Sequence, residues 1–418
     1  MRGGFPPGPI VVALSGGADS AVCAWAAVAS GCKVRAIIAD HGLPESAALV
    51  SAAVQIAVLL GVAYEVVPAF SEDASEAGLR DVRYAAIAAA AGADESLVTG
   101  HTADDQAETT LGNLLRGAGA AGLAGIPVSR GRWHRPLLGV SREATRAAAR
   151  ELGLPFADDP GNVDAGVRRS RIRTEVIPYL EQLNPSVRDA LRRAARLASD
   201  DDLVLGGRAD AIPVRVAHGE IRLPAAALST VPTAVASRAV RRGLRVALHP
   251  YAGDLGDVAA VLSVAAGEVA ACSVSGDWMA VREGPWVTIH RPGVLEPAAA
   301  AAIPVPGTAR CGRWIVDAVQ VDSAPAPSPA QWMLALPAGH GDLSVRSAVA
   351  GDTISMGDGS KAVGDALREA GVPARLRAVW PVVEEAGRMV WVIGSRIAAG
   401  VTASPGSPAT VLRARESV

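Results

Sequence analysis

Lysine is almost missing from this chain of 418 residues: Lys33 and Lys361 are the only two, and arginine carries nearly all of the positive charge. A Walker-type phosphate loop needs a lysine after its last glycine, so that class is excluded. Aromatic residues are also scarce, at 4%, which leaves alanine, valine and leucine to build the cores with eight tryptophans as the large fillers. The four cysteines (Cys23, Cys32, Cys272 and Cys311) show no Cys-x-x-Cys spacing. That excludes a disulfide framework and a thiolate metal cluster and suits a reducing, cytoplasmic compartment. No run approaches 18 uncharged apolar residues, and Ile10 to Leu14 is too short for a signal core, so neither a membrane span nor an export signal is expected. A net charge of −2 gives no global signature of nucleic-acid binding, so any such surface must be local.

What is present begins with Val11-Val12-Ala13-Leu14-Ser15-Gly16-Gly17-Ala18-Asp19-Ser20. An apolar β-branched run stops at Ser-Gly-Gly and reopens as an alanine-rich stretch, which predicts a strand, a tight loop and a helix start. Glycines there let consecutive amides converge on an oxyanion at the helix N-terminus. Ser15 and Ser20 add hydroxyls. Asp19 beside an anion is repulsive unless a divalent cation lies between them, so Ser15, Gly16, Gly17, Ala18, Asp19 and Ser20 read as a site for Mg²⁺ and a polyphosphate.

Strands and helices alternate from there: helix 18–29, strand 34–39, helix 44–60, strand 62–67, helix 76–91, strand 96–99 and helix 103–116. The βαβ repetition predicts a doubly wound parallel sheet with ligands at the carboxyl ends of its strands. The loops Ser15–Asp19, Asp40–Leu43 and Gly100–Asp104 open onto that edge. Helices follow over 141–152, 168–182 and 185–198, with Asp200–Asp202 and Gly206-Gly207 read as the end of the domain. The expected organisation is an α/β domain over 1–205, a mixed α/β middle domain over 206–305, a Pro- and Ala-rich linker over 306–330, and a small, mostly β domain over 331–418.

Two further stretches carry chemistry. In Gly100-His101-Thr102-Ala103-Asp104-Asp105-Gln106-Ala107-Glu108, Thr102 with Asp105 has the form of a helix capping box, which accounts for Asp105 without any function. It does not account for His101 or Glu108. Three carboxylates and an imidazole at the ligand edge suit an ammonium group, a metal or general base chemistry. Asp158 to Asp164 is an acidic turn running into Arg168, Arg169, Arg171 and Arg173, either a solvated face or a phosphate clamp. Arginines also recur at helical spacing at 142/146/150, at 188/192/196 and at 238/241/242/245, and three such stripes favour a polyanionic partner.

Ser-Gly-Gly-x-Asp-Ser after a strand resembles the pyrophosphate loop of the N-type ATP pyrophosphatases. In order, this loop, Asp40-His-Gly-Leu43, Arg80-Asp-Val-Arg-Tyr84, Gly100 to Thr109, Leu114-Leu-Arg-Gly-Ala-Gly119, Arg135-Pro-Leu-Leu138 and Asp158 to Asp164 resemble the bacterial tRNA(Ile)-lysidine synthetases. The likeness is strong over residues 10–183, weaker in the middle, and returns at Gly359–Pro373, Pro381–Val383 and Val390–Gly394. Two departures stand out: Arg169-Ser170-Arg171 where that family usually has Arg-Asn-Arg, and Gly351-Asp352-Thr353 where it has Gly-Asp-Arg. The second bears on acceptor-stem contact.

The resemblance implies a ligase that uses ATP and Mg²⁺ to adenylate the C2 oxygen of the wobble cytidine in a tRNA(Ile) with a CAU anticodon. Free L-lysine then displaces AMP. It implies ATP on residues 15–20 with Asp19 on Mg²⁺, lysine on Asp105 and Glu108, His101 near the α-phosphate or the base, and Arg80, Arg83, Arg171 and Arg173 on tRNA or ATP phosphates. It implies no membrane and no protein partner, and leaves the oligomeric state open, a homodimer included. A thiolating relative would need cysteines at the active edge, an amidating relative would not need the two further domains, and a silent tRNA-binding scaffold would not need the intact acids.

Overall fold

A computed structural model describes residues 4–71, 73, 76–158, 168–249, 251–293, 295–326 and 332–417, which form two compact units, 1–204 and 205–418. The expected acidic turn over Asp159–Asp164 and the Pro-rich residues 327–329 lie outside the described residues.

The first unit alternates β1 (Pro9–Ala13), α1 (Ala18–Ala29), β2 (Lys33–Asp40), α2 (Ala47–Leu59), β3 (Ala63–Pro68), α3 (Glu76–Ala90), β4 (Ser96–Val98) and α4 (Ala103–Leu114). A one-turn α5 (Ala120–Leu123) leads to the short strands β5 (Ser129–Arg130) and β6 (Trp133–His134), then α6 (Arg142–Glu151). The sheet runs β3-β2-β1-β4-β6-β5, parallel except for β5. It is doubly wound as expected, because β1 alternates its faces: Ile10 and Val12 pack with α1, α2 and α6, while Val11 packs with Ile37, Leu97 and Ile87 of α3. The order reverses between β1 and β4, so the loops after those two strands border the crevice where such sheets bind ligands.

The helix expected over 168–182 is interrupted. It comprises α7 (Arg168–Arg171), a π-turn over Ile172–Val176 and α8 (Ile177–Leu183). The next helix, α9 (Val187–Asp210), runs straight through the expected stop at Gly206-Gly207. Two glycines cost a helix about 2 kcal/mol relative to alanine, and the helix continues past them to pack Leu205 and Ala209 with the core of the second unit.

The second unit begins with an antiparallel sheet, β7 (Arg215–Ala217), β8 (Glu220–Pro224), β9 (Ala271–Val274), β10 (Trp278–Glu283) and β11 (Trp286–His290), in the order β7-β8-β11-β10-β9. It shares a core with α10 (Ala225–Thr230), α11 (Thr233–Ala247) and α12 (Leu255–Ala266). Beyond it the chain is mostly β. Residues 306–330, expected as linker, carry β13 (Gly307–Cys311) and β14 (Trp314–Val321), preceded by the two-residue β12 (Ala301–Ala302). β14 pairs with a strand at the far end of the chain, Ala409–Glu416. The single helix expected near 362–370 is present at Val363–Glu369.

A buried ion cluster ties the β7–β11 sheet to the β13–β14 hairpin and to the segment after the helix Val363–Glu369. Glu220 accepts from Arg313 at 3.0 Å, Arg375 at 2.7 Å and Arg222 at 2.9 Å, and Arg375 also forks onto Glu283 at 2.7 and 2.9 Å. Burial opposes the charge on Glu220, but the arginines outweigh it and hold its carboxyl down at about 2. Arg375→Met removes one partner and leaves two largely buried carboxylates facing its place. Urea titration is expected to show a loss of roughly 3–5 kcal/mol; an unchanged midpoint would contradict this. No helix among the described residues is long and apolar enough to cross a membrane.

Candidate active site

The loop between β1 and α1 closes on itself. The Ser15 hydroxyl donates to Ser20 Oγ at 3.0 Å, the Ser15 amide donates to the same oxygen at 3.2 Å, and the Ser20 hydroxyl donates to the Gly17 carbonyl at 2.9 Å. Both hydroxyls thus have partners within the loop, and both residues also line a cavity that opens on it. What remains is the start of α1, where Gly17 is the N-cap and no side chain caps the first turn. An uncapped first turn at the end of a parallel strand is an anion site made of backbone amides. Two glycines make the geometry achievable. Gly16 has φ +83°, and a Cβ there would lie 2.0 Å from the Leu49 carbonyl oxygen; at Gly100, after β4, a Cβ would lie 2.7 Å from the Asp19 carbonyl oxygen.

A cavity of about 810 Å³ opens on this loop and is bordered by the other two predicted loops. Its wall includes Ser15, Gly17, Ala18, Asp19 and Ser20 on one side and His41, Arg80, Arg83, His101 and Asp105 on the others. The arginines of the later helices complete it through Arg142, Arg146, Arg169 and Arg173. Arg171, two residues from Arg169 and Arg173, points the other way and pairs with Glu175 at 3.3 Å on the surface.

The acids of α4 are organised around guanidinium groups. Asp105 Oδ2 accepts from the amide of Thr102 at 2.8 Å and from its hydroxyl at 3.0 Å; Oδ1 accepts from Arg142 and from Arg169, both at 2.9 Å. Burial works against its charge, yet Arg142 and Arg169 prevail and hold the carboxyl below its usual range. Glu108 is enclosed, accepting from Arg142, Arg169 and Arg173, and it does not line the cavity. Asp104 accepts from the Arg142 amide and from Arg188, both at 2.7 Å. The expectation that Glu108 receives an amine directly therefore meets a carboxylate already surrounded by arginine, and Arg173, expected on phosphate, is one of its partners.

Asp19 accepts from the Thr145 hydroxyl and lies 3.6 Å from Arg142 Nε. Burial raises its pKa despite both partners. One half-buried carboxylate on the cavity wall is the donor set expected where Mg²⁺ is held mainly by phosphate oxygens and water; among the described residues no group of three or more His, Cys, Asp or Glu could form an all-protein cage.

His101 bonds Thr99 Oγ1 through Nδ1 at 2.7 Å. Burial pushes its pKa down to about 4, so the imidazole is neutral at physiological pH. A depressed histidine binds fewer protons when folded than when unfolded, so its contribution to stability is present above the unfolded value near 6.5 and is lost as pH falls toward 4. His101→Gln is expected to flatten the fall in melting temperature between pH 7 and pH 5; an identical slope would contradict that placement. His41 donates from Nδ1 to the Ala69 carbonyl at 2.9 Å, which leaves Nε2 to accept from Arg83 at 3.3 Å. Arg80 lies 5.1 Å from the Tyr84 ring centroid.

Several arginines of the stripes bond within the chain while most of them stay partly exposed. Arg142 and Arg188 serve the α4 acids, Arg146 pairs with Asp158, Arg192 bonds the Gly139 carbonyl, and Arg241 and Arg242 bond the carbonyls of Gly253 and Ile212. Arg150, Arg196 and Arg245 stay exposed. Sequence spacing gave each helix a basic face and said nothing of what that face meets. In the sequence Arg142 reads only as part of a basic stripe and Arg169 only as part of a cluster on a solvated face or a phosphate; neither was expected as a partner of Asp105 and Glu108.

Residues 5–180, which hold the whole cavity, match the model of the PP-loop domain, and residues 343–414 match the TilS substrate C-terminal domain. The chain is 42% identical over 275 residues to the tRNA(Ile)-lysidine synthase of Salinispora tropica, covering 62% of this chain and 80% of that one. It belongs to the tRNA(Ile)-lysidine synthase family. The synthase of Nocardia farcinica is likewise 42% identical, over 241 residues, with 56% of this chain and 75% of the relative covered. A solved U34-tRNA thiolase from Methanococcus maripaludis is 20% identical over 47% of this chain and 74% of its own, with a TM-score of 0.39, too low to carry an argument. Family membership makes the chain a PP-loop enzyme that uses ATP in tRNA modification.

Proposed function

We propose that this chain joins free L-lysine to the wobble cytidine of a tRNA(Ile) with a CAU anticodon, in the cytoplasm, in two steps within the cavity described above. First the C2 oxygen of the cytosine attacks the α-phosphorus of ATP; the bond to the α–β bridging oxygen breaks and pyrophosphate leaves with the electron pair. Then the ε-amino nitrogen attacks C2, AMP departs, and the nitrogen loses its proton. The supporting observation is that the uncapped amides of α1 and the carboxylate of Asp105 line one cavity.

The amides of residues 17–20 hold the β- and γ-phosphates against the helix start. Asp19 would hold Mg²⁺, which neutralises charge on the departing pyrophosphate. Asp105 stays ionised and so attracts the lysine ammonium, whose ordinary pKa near 10.4 must fall before it attacks. His101, being neutral, donates or accepts one hydrogen bond at the base without adding charge. Arg80 and Arg83 face the cavity and suit phosphates there, whereas the exposed Arg171 suits the tRNA backbone. The base has to leave its stack, which is cheapest in a single-stranded anticodon loop.

Pyrophosphate release from ATP is expected to require that tRNA, with AMP release requiring lysine as well. Turnover that depends instead on a sulfur donor or on ammonia would contradict the reading.

A further inference from the structure

We propose that Glu108 acts through arginine and not on the amine: it is a positioning residue that fixes Arg142 between Asp105 and Asp19, and the transfer of AMP to the base depends on it. The inference rests on the reaction proposed above and concerns a residue the acidic motif assigned to lysine.

A carboxylate has about four acceptor positions, and Glu108 has four donors. Oε1 accepts from Arg142 Nη1 at 2.9 Å and Arg173 Nε at 2.7 Å; Oε2 accepts from Arg169 Nε at 3.1 Å and Arg173 Nη2 at 2.9 Å. Its side chain has 0% exposure. Asp105 is held by four donors as well, so donor count does not separate the two acids. Access does, because Asp105 lines the cavity and Glu108 does not, and an ammonium group could reach Glu108 only by passing Asp105 and displacing a guanidinium.

Arg142 is the exception among the three arginines because it also reaches the nucleotide loop. Nη2 is 2.9 Å from Asp105, Nε is 3.6 Å from Asp19, and its amide is fixed by Asp104. One planar guanidinium thereby meets acids that follow β1 and β4, the two strands flanking the crevice. Its donors sit in a rigid fork, so losing the contact at Nη1 re-aims Nε and Nη2 together. A residue that merely bound lysine would leave the first half-reaction untouched; a residue that sets Arg142 cannot.

The test separates the halves. With ATP labelled at the α-phosphate, AMP transfer to tRNA is timed without lysine, and the KM for lysine is then measured in the full reaction. Glu108→Gln is expected to slow the lysine-independent transfer by about 30-fold or more and to move the lysine KM by less than about threefold. Arg142→Met should share that pattern, with Arg142→Lys between it and the wild type, because an ammonium keeps the charge and loses the fork. Should Glu108→Gln melt early, Arg142→Lys decides. Wild-type transfer rates in these variants, with the lysine KM raised tenfold in Glu108→Gln, would overturn the inference and leave the function standing. A wild-type chain that transfers no AMP would overturn both.

Discussion

Gly16→Ala is expected to abolish ATP-dependent AMP transfer and to cost roughly 3 kcal/mol of stability. Two independent obstacles add at that position. The backbone sits at φ +83°, where a side chain is strained, and the new Cβ would lie 2.0 Å from the Leu49 carbonyl oxygen, a backbone atom that cannot swing aside. Relief requires the loop to rotate away from α2, and that rotation withdraws the amides at the start of α1 from the cavity. Gly17→Ala is the control. Gly17 has φ −82°, and its added Cβ meets only Ser15 Oγ at 3.8 Å, an ordinary contact. Its stability is expected to stay within about 1 kcal/mol of the wild type. Chemical denaturation of both variants with a pyrophosphate-release assay checks the pair; equal stability would contradict the account of the loop.

Asp19→Ala is expected to lower AMP transfer by about 10³-fold, the scale on which single preorganised charge-stabilising groups act. Stability should change little. The carboxylate is buried at a cost that Thr145 and Arg142 only partly offset, as its raised pKa shows. When it is removed, Arg142 keeps Asp105 and Glu108 as partners. The variant should melt close to the wild type while losing turnover, and steady-state rates with a thermal melt decide it. A variant that retains full transfer would remove Asp19 from the nucleotide site.

The parts of this site legible in the sequence are those made locally. Strand, loop and helix around Ser15 to Ser20 follow from ten consecutive residues, and the parallel sheet follows from repeated βαβ spacing. The acids of α4 were also visible, but their partners were not. Glu108 meets arginines 34, 61 and 65 positions away, and nothing in helical spacing reports such a distance. Residues 307–321 alternate inward and outward as strands do, yet they lie between Pro-rich stretches and pair with the end of the chain, so they read as linker. β5 and β6 were missed because two residues hold no period.

The most direct test of the central claim is mass spectrometry of the wobble nucleoside after incubating the full chain with tRNA(Ile) bearing a CAU anticodon, ATP, Mg²⁺ and isotopically labelled lysine. The account predicts that the cytidine gains lysine less one water, carries the label, and appears in step with AMP. An unmodified cytidine, or a nucleoside whose oxygen has been exchanged for sulfur, would contradict it.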